Sequence, residues 1–118
     1  MNKEAILKHT TSYEESLIKY LQDPELARTY LETALESYRQ DGDTEALLLS
    51  IRHVIEVQGG IGELAKRTKI SSEHLYGILS SKHDLTLDNW LNIISGLGFG
   101  VRLERQKAPA EHTLVHKG

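Results

Sequence analysis

Residues 44–58 contain Leu47, Leu48, Leu49, Ile51, Val54, Ile55 and Val57. Wound as a helix, these side chains surround most of the circumference. A helix that is apolar nearly all round has to be buried. The rest of the chain must therefore cover it on more than one side. Asp43 or Thr44 supplies an N-cap oxygen, and Gly59-Gly60 ends the helix. Arg52, His53 and Glu56 fall on its one wet side. This predicts a mainly α fold, a bundle of five to six helices with residues 44–58 at the centre.

The stretch from Gly60 to Leu79 reads as two short helices joined by a tight turn. Ile61, Leu64, Ala65 and Thr68 recur at helical spacing on the first. Lys69 and Ile70 interrupt that face. Ser71 then offers a hydroxyl at an N-cap position. Leu75, Ile78 and Leu79 make the underside of the second helix. Ser72, Glu73, His74, Tyr76 and Gly77 point elsewhere. This is the layout of a helix-turn-helix, and equally that of a plain helical hairpin with no ligand.

The flanks supply the remaining layers. Residues 1–11 read as a loose arm, and Ser12-Tyr13-Glu14-Glu15 as a capping box. Tyr13, Leu17, Ile18, Tyr20 and Leu21 then make a short amphipathic helix. Asp23-Pro24 restarts the chain, with Pro suited to the first helical turn. Leu26, Ala27, Tyr30, Leu31, Ala34, Leu35 and Tyr38 give that helix one apolar face, up to Asp41-Gly42. After a polar loop at residues 80–85, Thr86 caps a helix with Leu87, Trp90, Leu91, Ile94 and Leu97 on one face and Trp90 as its core anchor. Gly96, Gly98 and Gly100 break it. Phe99, Val101 and Leu103 alternate with Gly100, Arg102 and Glu104, a period of two that predicts one short C-terminal β-strand. A strand needs partners for its backbone groups, and no second convincing strand exists in the chain, so pairing across a dimer is the expectation. The organisation expected is an arm and short helix over 1–22, a helical domain over 23–105, and a disordered tail over 106–118.

The bulk properties exclude several classes. A length of 118 residues fits one domain. There are no cysteines, which removes disulfides, thiol nucleophiles and cysteine zinc sites and fits a reducing cytoplasm. No run approaches the length of a membrane span, and no signal-peptide pattern opens the chain. The net charge is −3, but it is unevenly spread. Residues 1–58 carry 6 Lys/Arg against 11 Asp/Glu, and residues 59–118 carry 8 against 6. The two-helix motif lies in the basic half. The acidic half suits either a basic protein partner or plain solvation. No phosphate loop, dinucleotide fingerprint or HExxH is present, and Gly59-Gly60-Ile61-Gly62 reads as a helix break. His112 and His116 have a spacing that suits a metal only on a helix, which the tail does not predict. His74 and His83 flank the second helix of the motif. No enzyme, cofactor or metal site is expected.

Glu63-Leu64-Ala65, Ile70-Ser71, His74-Leu75-Tyr76 and Ile78-Leu79, followed by Leu85-Thr86 and Leu97-Gly98, resemble the phage Cro/repressor-type helix-turn-helix. More narrowly, over roughly residues 23–105, the chain resembles the prophage-type addiction-module antidote (antitoxin) family. The resemblance implies a small cytoplasmic antitoxin that neutralises a ribonuclease-like toxin. It also implies a homodimer that binds double-stranded operator DNA and represses its own operon. Carried over by position, the DNA-facing residues are Ser71, Ser72, Glu73, His74 and Gly77, with Lys66, Lys69 and Lys82 on phosphates and Tyr76 either on the sugar-phosphate backbone or half-buried. Three positions depart from the family's pattern: members often have Arg where Ser72 and Gly77 stand, and Gly where Lys69 stands. Arg is the commonest bidentate reader of guanine, so the alternative is a helical protein-interaction module, or a general regulator with weak or no sequence-specific DNA binding.

Overall fold

A computed structural model describes residues 13–80 and 85–106. Six helices form among them: α1 (residues 13–21), α2 (Pro24–Asp41), α3 (Thr44–Val57), α4 (Gly60–Thr68), α5 (Ser72–Ser80) and α6 (Leu87–Gly96). Ser12, the first residue of the expected capping box, lies outside the described residues.

Local chemistry sets most of the helix ends. The Asp23 carboxylate accepts from the Glu25 N–H at 2.9 Å, with Pro24 in the first turn. Gly42 closes α2 in the left-handed region, φ 66°, and its N–H donates to the Tyr38 carbonyl. An L side chain is strained in that conformation, which is why glycine stands there. Asp43 caps α3 by accepting from the Ala46 N–H at 3.1 Å. Thr86 caps α6 by accepting from the Asn89 N–H at 3.2 Å.

The α2 and α3 helices form an antiparallel hairpin. Tyr30 on α2 reaches His53 on α3, its hydroxyl 2.7 Å from Nδ1. Burial holds the Tyr30 hydroxyl pKa above its ordinary value. On the other side α3 packs against α4 and α5, and α4 packs against α5 and α6. One core runs through all six helices, with Ile51, Val54, Leu75, Ile78 and Ile93 wholly out of water. Each such side chain contributes roughly 1.5–3 kcal/mol through removal of apolar surface from solvent.

The central helix is less enclosed than its composition predicts. Leu47, Leu48, Ile51, Val54 and Ile55 are buried, but Leu49 is 45% exposed. Its neighbours cover two sides, and Leu49 faces the side left open. Two residues expected on the wet side are instead half-buried and bonded. His53 meets Tyr30, and Arg52 donates to the Leu79 carbonyl at 2.8 Å. In α1, only Leu21 is fully in the core, while Tyr13 and Ile18 are exposed. In α6, the buried residues are Ile93 and Ile94, with Leu97 just beyond; Trp90 only leans against the core, and Leu87 and Leu91 are exposed.

Gly96 is not a helix breaker. It is the last residue of α6, and it lies where α4 comes closest. A Cβ there would fall 2.6 Å from Thr68 Cγ2 and 2.7 Å from Leu64 Cδ1. Only a residue with no side chain lets the two helices approach this far.

The expected strand does not form. Phe99 packs against the core, and its N–H donates to the Ile94 carbonyl. Residues 99–106 then continue without helix, turn, bend or ladder. The physical reason is the missing partner: no other described segment of the chain is a strand. A groove of about 790 Å³ separates this segment from α2, floored by Leu31, Leu35, Trp90 and Ile94.

Candidate nucleic-acid interface

The α4–α5 pair is built from short-range signals. Gly59 and Gly60 have φ of 115° and 88°, which turns the chain sharply out of α3. At the other end of α4, Lys69 takes φ 65° and ψ 22°, and its N–H donates to the Ala65 carbonyl at 2.9 Å. Among the described residues it is the one non-glycine with positive φ. Thr68 braces the turn: its hydroxyl donates to the Leu64 carbonyl at 3.0 Å and accepts from the Ile70 N–H at 3.1 Å. Ile70 tucks against the core. Ser71 then accepts from the His74 N–H at 3.1 Å. This satisfies one of the orphan donors at the start of α5.

The two faces of α5 differ completely. Leu75, Ile78 and Leu79 are buried. Ser72, Glu73, His74 and Tyr76 are exposed, as is Ser71 just before the helix. Tyr76 is 65% exposed, so it is not the half-buried residue that one reading allowed. A Cβ on Gly77 would meet nothing within 4 Å. Close packing inside the chain therefore does not account for glycine at this position. The Ser80 hydroxyl donates back to the Tyr76 carbonyl at 2.8 Å, and the Arg52 guanidinium takes the neighbouring Leu79 carbonyl. The Arg52 bond satisfies an acceptor in the last turn, where helix carbonyls lack partners.

Charge around this face is sparse. Lys66 is exposed on α4, 4.0 Å from the Glu63 carboxylate, and Lys69 is exposed at the turn. Glu73 is the charged residue on the outer face of α5 itself. Lys82 and His83 lie outside the described residues, as do His112 and His116. Of the residues expected at a DNA surface, Ser71, Ser72, Glu73, His74, Tyr76 and Gly77 thus share one exposed helix and its cap, and Lys66 and Lys69 lie on the adjoining helix and turn.

Two arginines that the sequence reading gave no positioning role hold the motif in place. Arg67 on α4 donates to the Gln58 side-chain oxygen at 2.9 Å and to the Gly96 carbonyl at 3.2 Å. Gln58 in turn donates to the Leu97 carbonyl at 3.0 Å. This knot ties the ends of α3 and α6 to α4. Arg52 ties α3 to α5 in the same way. The partners are backbone carbonyls 27 and 29 residues along the chain, which no residue spacing announces.

No helix among the described residues is long and apolar enough to cross a membrane. Comparison with curated proteins gave no match, and comparison with solved structures gave none. A family model described as a probable addiction module antidote protein matches residues 10–105. That match takes in all six helices and the segment after α6, so the chain belongs to the family of probable addiction module antidote proteins.

Proposed function

We propose that this protein is a cytoplasmic antitoxin that neutralises a partner toxin and, as a homodimer, binds its own operator and represses its operon. In this reading α4 and α5 are a Cro/repressor-type helix-turn-helix. The α5 helix enters the major groove, and Ser71, Ser72, Glu73, His74 and Gly77 face base edges or phosphates. Lys66, Lys69 and Lys82 hold the backbone, with Tyr76 against a sugar. The observation that carries it is the outer face of α5: mostly polar and exposed, on a helix whose underside and both ends are fixed by the core, Ser71 and Arg52. Family membership supports the antitoxin half, and the partner in this reading is a ribonuclease-like toxin. Gel-shift titration against the region upstream of its own operon, at two salt concentrations, tests the DNA half. A clear preference over random duplex is expected, and equal binding to both sinks the repressor role. Co-expression with the product of the adjacent gene tests the toxin half, with restored growth and a co-purifying complex as the expected result.

A second reading is favoured by one observation. The outer face of α5 offers no cation and presents the Glu73 carboxylate, which phosphate repels. In that reading the two helices are a scaffold, and the protein acts through protein contacts alone.

A further inference from the structure

We infer that residues 101–105 pair antiparallel with the same residues of a second copy, about a two-fold axis through Leu103. This rests on the dimeric part of the reading above and names its interface. Among the described residues, Gly100 to Gln106 make no backbone–backbone hydrogen bond. The same run leaves Val101 55% and Leu103 98% exposed. A segment without turn or bend, whose backbone groups make no backbone bond and whose aliphatic side chains stand in water, has what an open strand edge offers a partner.

Charge selects the partner and the register. With the axis through Leu103, Arg102 of one copy lies opposite Glu104 of the other, and symmetry makes the pair twice. On the opposite face the two Leu103 side chains meet, and the Val101 side chain lies against the stem of Arg105. Shifting the axis to Arg102 sets that guanidinium against its own copy. Shifting it to Val101 brings Glu104 opposite Gly98, whose φ of 95° is not a strand conformation. Only the Leu103 register has opposite charges facing with no left-handed residue in the paired run, and the self-complementary Arg-Leu-Glu run makes a second copy the natural occupant.

The test is the dimer Kd of the full chain by analytical ultracentrifugation, for Arg102→Glu, Glu104→Arg and the double exchange. Both residues are exposed, so folding is preserved, and a melting curve checks this. Each single change turns two opposite-charge pairs into like-charge pairs and is expected to weaken the dimer about tenfold. The double exchange is expected to restore it. A bulk charge effect differs, because the two single changes shift the net charge in opposite directions. In addition, Leu103→Cys is expected to form an intermolecular disulfide rapidly under mild oxidation, whereas Val101→Cys, facing residue 105, is expected to do so slowly. Dimers indifferent to both single changes, or equal cross-linking at the two positions, overturn the strand pairing while leaving a dimer by another surface. A chain that stays monomeric at all concentrations overturns both.

Discussion

Arg52 on α3 donates through its guanidinium to the carbonyl of Leu79 on α5, at 2.8 Å, across 27 residues of sequence. This bond meets a backbone acceptor in the last turn of α5 and brings a positive charge to the negative end of the helix dipole. Arg52→Ala is expected to lower stability by about 1.5–3 kcal/mol, the range for a hydrogen bond to a charged group. Hydrogen exchange distinguishes this bond from general packing. The amides of α5 are expected to exchange faster than those of α2, whose caps and ion pairs do not involve Arg52.

Gly96 carries the next prediction. Alanine gains about 1 kcal/mol of helix propensity over glycine. Here its methyl would fall 2.6 Å from Thr68 Cγ2 and 2.7 Å from Leu64 Cδ1. Thr68 cannot rotate away without losing its bonds to Leu64 and Ile70. Overpacking of this kind costs about 1–3 kcal/mol, so the clash outweighs the propensity. Urea denaturation of Gly96→Ala is expected to show a lower midpoint than the parent.

Lys69 predicts the opposite sign. Its φ of 65° costs a residue with a Cβ roughly 1–2 kcal/mol. Part of that gain returns as the extra freedom of glycine in the unfolded chain. Lys69→Gly is therefore expected to stabilise the fold by about 0.5–1 kcal/mol, measured by thermal melting. If Lys69 also contacts phosphate, the same variant should lower the salt dependence of DNA binding by about one ion's worth. The two readouts separate a conformational role from an electrostatic one.

The caps at Asp23, Ser71 and Thr86, the α3 cap down to a choice between Asp43 and Thr44, and the division of α5 into two faces were legible because each is decided within one or two turns of chain. The same local logic found Leu75, Ile78 and Leu79. It did not find Arg52, Arg67 or the true role of Gly96, because their partners lie far along the sequence. It also overestimated the burial of α3. Periodicity says which side chains are apolar, not how many neighbours arrive to cover them, and Leu49 is left at the open side. The strand at Phe99–Leu103 failed for a related reason. Alternation describes what a segment can do when paired, and no partner lies among the described residues.

Ser72 and Gly77 allow a direct test of the groove geometry. Ser72 is exposed, and a Cβ on Gly77 meets nothing within 4 Å. Both positions therefore accept a long side chain without disturbing the core. Ser72→Arg/Gly77→Arg is expected to bind operator DNA at least about tenfold more tightly, since one good bidentate guanine contact is worth about 1–3 kcal/mol. If the parent shows no operator preference and the variant acquires one, the protein-contact reading is favoured for the native chain.

Tyr30 sets an alkaline limit. Burial raises its pKa above the ordinary 10.0. Folding therefore favours the neutral phenol, and the corresponding stability is fully present below the unfolded value. It is lost as pH rises through the folded one. Melting temperatures measured from pH 8 to 11 are expected to fall more steeply for the parent than for Tyr30→Phe at the alkaline end.

The order of helices along the chain carries a last consequence. Among the described residues, the most extensive helix contacts join elements near in sequence: α2 with α3, α3 with α4 and α5, and α4 with α5 and α6. Most of this packing closes short loops, with the Gln58 bond to the Leu97 carbonyl a longer exception, so little of the entropy of bringing distant parts together is spent before packing repays it. Such a topology folds on a microsecond-to-millisecond scale, roughly that of small helical bundles. A protein assembled this way can be replaced by new synthesis with folding never the slow step.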